Sequence, residues 1–277
     1  MLIDVKSWWV FLSVFSVINL LLLVLSVIIL NKRKYSIDKD IYRRRKIILW
    51  CSGIYTVVCA YRSFLPRIDL ERYCLVDSVW SNVFLGRTVT TFAELAFIVQ
   101  CALIMYEAGK GLHSRLAIIV AYSLVPLIVL AEGFSWYAML STNNLGSVIE
   151  ESLWALSGVL IVASYLSLWP NVSKYHRKFL ASLILFGVGY IAFMLTVDVP
   201  MYWHRWQEDV AAGTQYYNAL DGLVNSVRQC TVSFDPHIWQ PEMPWMTLYF
   251  TFAVWLSIWL AHMPDYRLYR SSRVSRP

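Results

Sequence analysis

Long uncharged runs, bracketed by charged residues, dominate the chain. Residues 7–31, between Lys6 and Lys32, carry no charged side chain. Six further apolar runs follow, near 46–64, 87–108, 115–138, 148–169, 178–198 and 243–263. Most approach the ~20 residues that a helix needs to cross ~30 Å of hydrocarbon at ~1.5 Å per residue. The second is the shortest: only 47–61 is strictly uncharged, and it spans only if Arg62 snorkels to the interface. The runs are continuous and rich in Leu, Ile and Val, without the alternation of barrel strands. Open sheets would leave unpaired edge groups in lipid. The pattern therefore predicts an all-α integral membrane protein, a single domain over 1–277 with about seven transmembrane helices.

The first run is longer than the apolar core of a signal peptide, and no A-x-A-like site follows it, so it reads as an uncleaved first span. Orientation follows from Lys and Arg. One set of loops holds Lys32, Arg33, Lys34, Lys39, Arg43, Arg44, Arg45, Lys46, Lys110, Arg115, Lys174, Arg177, Lys178, Arg267, Arg270, Arg273 and Arg276. The other side holds only Lys6, Arg62, Arg67, Arg72, Arg87, Arg205 and Arg228. The richer side is expected in the cytoplasm, with the N-terminus out and the C-terminus in.

The segments left on the outer side, 63–86 and 199–242, are long and mixed in character. Ile68, Leu75, Val76, Val79, Trp80 and Val83 recur at helical spacing in the first, and Tyr217, Leu220, Val224 and Val227 in the second. Both predict amphipathic extracytoplasmic cap segments lying at the interface.

Composition agrees with lipid as the solvent. The chain is 58% hydrophobic and 15% charged, with a mean hydropathy of +0.52, whereas soluble domains run near ~25% charged. The net charge of +6 would suggest nucleic acid in a soluble protein. Here the sidedness of the basic residues accounts for it, so the expected partner is the bilayer and not nucleic acid. Five cysteines show no metal-binding spacing. Cys74 and Cys230 both fall in outer segments and are either a disulfide or two free thiols.

Ionisable groups inside spans cost at least ~2.5 kcal/mol each on insertion scales and mark function. Glu94 lies about seven residues into the third run, roughly 10 Å below its outer boundary. Glu132 is near the outer end of the fourth run, Glu150 and Glu151 begin the fifth, and Asp198 ends the sixth. Arg87, Thr90, Thr91, Glu94 and Cys101 share a helical stripe, as do Glu150, Trp154, Ser157 and Gly158. Glu107, at the cytoplasmic end of its run, is expected in water. The resulting expectation is a polar pocket open to the extracytoplasmic side, with Glu94, Glu132, Glu150 and Glu151 as catalytic candidates and Arg62, Arg67, Arg87, Asp198 and Trp154 as substrate-binding candidates. A bland alternative has Glu94 paired with Arg87 or Arg62 simply to hold helices together, and Glu150 and Glu151 capping a helix in water.

His204 and Glu208, four apart, are weak metal candidates in an outer loop. No HExxH, GxSxG, Walker A or GxGxxG sequence occurs, so the sequence names no cofactor, and it names no oligomeric state. Three functions remain in play. One is a membrane-embedded enzyme acting on a lipid or lipid-soluble small molecule. Another is a small-solute or proton carrier. The third is a receptor or membrane-complex subunit that recognises partners through the outer segments or through the tail from Asp265 to Arg270. The outer-half position of the carboxylates favours the first.

Overall fold

The computed structural model describes residues 4–172, 174–228 and 230–263; the tail from Asp265 to Arg270 lies outside them. Among the described residues, seven helical stretches are long and apolar enough to cross a membrane. The chain is a helical, multi-pass integral membrane protein. The spans are α1 (Val5–Lys32), α2 (Lys39–Phe64), α3 (Val83–Leu112), α4 (Arg115–Ser141) and α5 (Asn144–Leu168). The sixth comprises α6 (Lys174–Phe193) and α7 (Val199–Ala212) joined through a π-turn, Met194–Asp198. After α8 (Ala219–Val227) and the short α9 (Pro236–Trp239) comes the seventh, α10 (Met243–Leu248) and α11 (Val254–Leu260), with a π-turn over Tyr249–Ala253.

Local chemistry sets the ends of these helices. Asp4, Asp38, Asn82, Ser114 and Asn143 each accept a hydrogen bond from a backbone N–H of the first turn that follows. His113 and Thr142 close α3 and α4 in the left-handed conformation. Two residues then suffice to connect α3 to α4 and α4 to α5, and such short links force antiparallel neighbours. Pro200, at the start of α7, has a ring that would collide with the carbonyl of Thr196 in an unbroken α-helix. The π-turn there absorbs the conflict, so helix continues from α6 through α7 to Ala212, past the apolar run that ends near 198. In the seventh span, Asn19 of α1 donates to the Phe250 carbonyl at 2.7 Å and accepts from Trp255 at 2.8 Å. This buried amide thereby satisfies backbone that the π-turn loosens.

The seven spans bury three apolar clusters and leave the outward faces to lipid. One cluster joins Leu30, Ile48, Ile104, Leu168 and Leu260. A second joins Val5, Trp8, Tyr55, Trp239 and Phe250. A third, between α3 and α4, joins Ile98, Leu124 and Ile128. Val10, Val14, Leu21, Val24 and Leu25 of α1 are exposed, as a lipid-facing surface requires.

The α2–α3 and α7–α10 connections meet at one end of the bundle. Residues 67–76 do not continue as the amphipathic helix that their spacing suggested. They form β1 (Arg67–Ile68) and β2 (Tyr73–Cys74), an antiparallel pair. β2 also pairs in parallel with β3 (Thr231–Val232). Cys74 and Cys230 form a disulfide, closing a separation of 156 residues. Buried charge decides the local fold here: Arg67 is fully buried and Asp69 nearly so, which a surface helix would not accommodate. α8 does form, and it packs so tightly on the end of α4 that a Cβ on Gly222 would stand 1.8 Å from the Leu140 carbonyl.

Candidate functional site

The buried charges at the disulfide end form one connected cluster with two halves. The first centres on Asp69. Arg67 Nε meets Asp69 Oδ1 at 2.9 Å, while Arg87 Nη2 and Arg62 Nη1 approach Oδ2 at 3.3 and 3.8 Å. Burial on its own would raise the Asp69 pKa. The charges of Arg62, Arg67 and Arg87 outweigh it and hold the carboxyl well below the usual range. The Arg67 guanidinium lies directly on the backbone of α3, where a Cβ on Gly86 would fall 1.3 Å from its Nη2. Only glycine leaves room for it. Arg62 also donates to Thr90 Oγ1 and to the Arg67 carbonyl, both at 3.3 Å. It is therefore buried inside the bundle, at 4% exposure, and does not snorkel as the length of the second span suggested.

The second half is acidic. Glu94 of α3, Glu132 of α4 and Glu150 of α5 are all buried, and one oxygen from each lies within 4.8 Å of the others. Each carboxylate is held from outside by a different donor. Tyr249 OH, in the π-turn of the seventh span, donates to Glu94 Oε1 at 3.0 Å. Thr91 Oγ1 donates to Glu132 Oε2 at 2.6 Å and itself accepts from Trp136 Nε1 at 3.0 Å. Arg87 Nη1 donates to Glu150 Oε1 at 3.4 Å and so ties the two halves together. The remaining oxygens Glu94 Oε2 and Glu132 Oε1 are buried without a hydrogen-bond donor.

Glu151, partly exposed, does not join this trio; its nearest acidic influence is Asp198, buried in the π-turn of the sixth span. Tyr190 of α6 is close enough to Glu151, Asp198 and Glu94 to feel their charges. The π-turn of the seventh span thus brings Tyr249 onto Glu94, and that of the sixth holds Asp198 among the charges of Glu151, Arg205 and Glu242; π-turns recur at functional sites.

The expected site is therefore partly assembled and partly dispersed. Glu94, Glu132, Glu150 and Arg87 converge. Arg62 and Arg67 serve Asp69 and do not reach the glutamates. Trp154 packs against the apolar cluster of Ile98, Leu124 and Ile128. His204 and Glu208 approach to 3.7 Å, but their side chains are 73% and 67% exposed, and the carboxylate group with metal-holding geometry is elsewhere. Glu150 is 5% exposed and does not cap a helix in water. Glu107 is also buried, 2.7 Å from Arg44 and 3.4 Å from Arg45, not solvated.

The sequence reading missed Asp69, Tyr249 and Ser135, the last buried on α4 one turn from Glu132. Asp69 had one legible signal: it is a lone acid among Arg62, Arg67, Arg72 and Arg87 in a segment next to two spans. Nothing in the sequence marked Tyr249 among 17 tyrosines. A further ion group, Arg205 with Glu71 at 3.2 Å and Glu242 at 2.7 Å, braces the same end. Burial raises the Glu71 pKa there, and Arg205 opposes the shift.

No protein-family model matches the chain, and no similar curated protein or solved structure is found.

Proposed function

We propose that this protein is a membrane-embedded enzyme that acts on a lipid or lipid-soluble substrate from the extracytoplasmic side. The proposal assigns the disulfide end to that side. The excess of Lys and Arg in the opposite loops supports the assignment, as does the Cys74–Cys230 bond, since disulfides persist in oxidising compartments.

One observation carries the reading: three buried glutamates from three different spans converge within 4.8 Å. Buried charges are expensive, and a fold that only needed helix contacts would use apolar side chains. Three arginines, Arg62, Arg67 and Arg87, face four carboxylates, Asp69, Glu94, Glu132 and Glu150. With all of them ionised the cluster has three positive and four negative charges, a net of −1. Neutrality calls for a proton or a cation among the glutamates. A proton held there supplies a general acid, and a cation polarises a substrate oxygen.

Comparison of total lipid and quinone extracts by mass spectrometry tests the proposal. The cells would lack the protein, express it, or express a Glu94→Gln variant at matched membrane levels. A defined species should appear or disappear only with the unaltered protein. Identical extracts from all three would reject the enzyme.

A second reading, a proton or small-solute carrier, draws on polar groups deeper in the bundle. Gln100 Nε2 donates to Ser257 Oγ at 3.0 Å, and Ser257 reaches Ser52 Oγ at 3.1 Å. Beyond them the interior turns apolar, at Ile104 and Met105. Uptake into proteoliposomes that disappears with Glu94→Gln would favour the carrier over the enzyme.

A further inference from the structure

We propose that Glu94, Glu132, Glu150 and Ser135 form a binding site for one hard divalent cation. The proposal deepens the enzyme reading by giving that site a cofactor, and it rests on that reading only for the cation's role, not for its binding.

The donor set is entirely oxygen, the chemistry preferred by Ca2+, Mg2+ and Mn2+ over the softer transition metals. The spacing admits such an ion. Three oxygens bound to one ion stand at most √3 bond lengths apart, about 4.0–4.5 Å at the ~2.3–2.6 Å bond length of Ca2+. The three glutamate oxygens all lie within 4.8 Å of one another, so small side-chain movements bring them onto one ion.

Two features go beyond a simple gathering of acids. Ser135 lies one turn along α4 from Glu132, on the same face. It is 1% exposed, and its hydroxyl lies against Glu150 without a well-formed hydrogen bond. A neutral oxygen donor is thus buried beside the glutamates. The second feature is how the carboxylates are held. Tyr249, Thr91 and Arg87 each grip one oxygen of one glutamate from outside. On Glu94 and Glu132 the other oxygen is buried with no donor beyond the neighbouring glutamate. Outer partners that orient one oxygen of a carboxylate and leave the other for the ion are the usual support of a metal site. Trp136 extends the support by fixing Thr91.

A divalent cation takes the combined arginine and carboxylate cluster from −1 to +1, so its benefit is local and not one of net charge: it screens the mutual repulsion of the three glutamates where they are closest. Arg87 alone, committed as well to Asp69 at 3.3 Å, meets only part of that repulsion.

The test is binding of Mn2+ to the full chain in lipid nanodiscs after exhaustive chelation, read as loss of the free Mn2+ signal in electron paramagnetic resonance and competed with Ca2+ and Mg2+. About one ion per chain should bind, and Ca2+ should displace it. Thr91→Val keeps the side-chain shape and removes the donor to Glu132, and it should weaken binding about 10–100-fold. Ser135→Ala should weaken it in the same direction, and Glu94→Gln should abolish it. His204→Ala should leave it unchanged. No saturable Mn2+ binding by the intact protein would overturn the cation and leave a proton shared by the glutamates. Binding that survives both Glu94→Gln and Thr91→Val would overturn the site. Lipid turnover without bound ion rejects the cation alone, whereas bound ion with unchanged lipid extracts rejects the enzyme alone.

Discussion

Asp69 and the three glutamates sit side by side, share Arg87, and solve opposite electrostatic problems. Around Asp69 one carboxylate faces three guanidiniums. Around Glu94, Glu132 and Glu150 three carboxylates share the one guanidinium that reaches across to Glu150. The first arrangement is closed: the acid is ionised, hydrogen-bonded and fixed against the α3 backbone through Arg67 and Gly86. Both halves keep buried polar atoms without a hydrogen-bond partner, Arg62 Nε, Arg67 Nη2 and Arg87 Nε in the first and Glu94 Oε2 and Glu132 Oε1 in the second; what differs is the balance of charge. Buried charge matched by its surroundings holds helices together, whereas buried charge in excess of its partners needs something the fold does not itself supply. The Glu107 group at the opposite end makes the same point, since one carboxylate there faces Arg44 and Arg45 and belongs with Asp69.

If the two halves differ in this way, substitutions that each remove one negative charge should act with opposite sign. The largest effect is expected from Asp69→Asn, which strands three buried arginines. Breaking such a group from one side costs about 3–5 kcal/mol, read as a fall in unfolding temperature in detergent or as loss of the folded monomer on size exclusion. The same carboxylate predicts a pH dependence. Its folded pKa lies below its unfolded value of about 3.9, so its contribution is complete above that value and is lost as pH falls through the folded one. A native protein whose stability does not decline below about pH 4 would contradict the depressed pKa.

Gly86→Ala sharpens the comparison at smaller cost. The new methyl would displace the Arg67 guanidinium, and forcing an extra carbon into such packing typically costs about 1–3 kcal/mol. A crystal structure or thermal melt of that variant with Arg67 undisturbed would break the account of the closed half. The smallest shift, and the one of opposite sign, is expected from Glu94→Gln. In the chelated, ion-free protein it removes one of three mutually repelling charges and keeps an oxygen for Tyr249, so the chain should gain about 1 kcal/mol of stability while function disappears. A loss of several kcal/mol would instead make Glu94 a structural partner like Asp69.

Much of this molecule was legible in one dimension. Seven apolar runs define seven spans because lipid leaves the backbone no alternative to internal hydrogen bonding. The cost of charge in hydrocarbon made Glu94, Glu132 and Glu150 stand out without any structure. Where local pattern and tertiary demand disagreed, the pattern misled. Ile68, Leu75 and Val79 have helical spacing, yet β1 and β2 form there because Arg67 and Asp69 must be buried against α3. Arg62 appeared to mark the edge of a short span and is instead buried in the charge cluster.

The sequence by itself determined the solvent, the number of crossings and the identity of the costly side chains, because each depends on what a segment must do alone in lipid. Only the tertiary structure decided which of those side chains meet. Arg62 and Arg67 turn to Asp69, Glu151 stays outside the trio, and Tyr249 reaches Glu94 across 155 positions of sequence. Such pairings depend on helix rotation and on two π-turns, and those are set by packing between spans, which no single segment encodes.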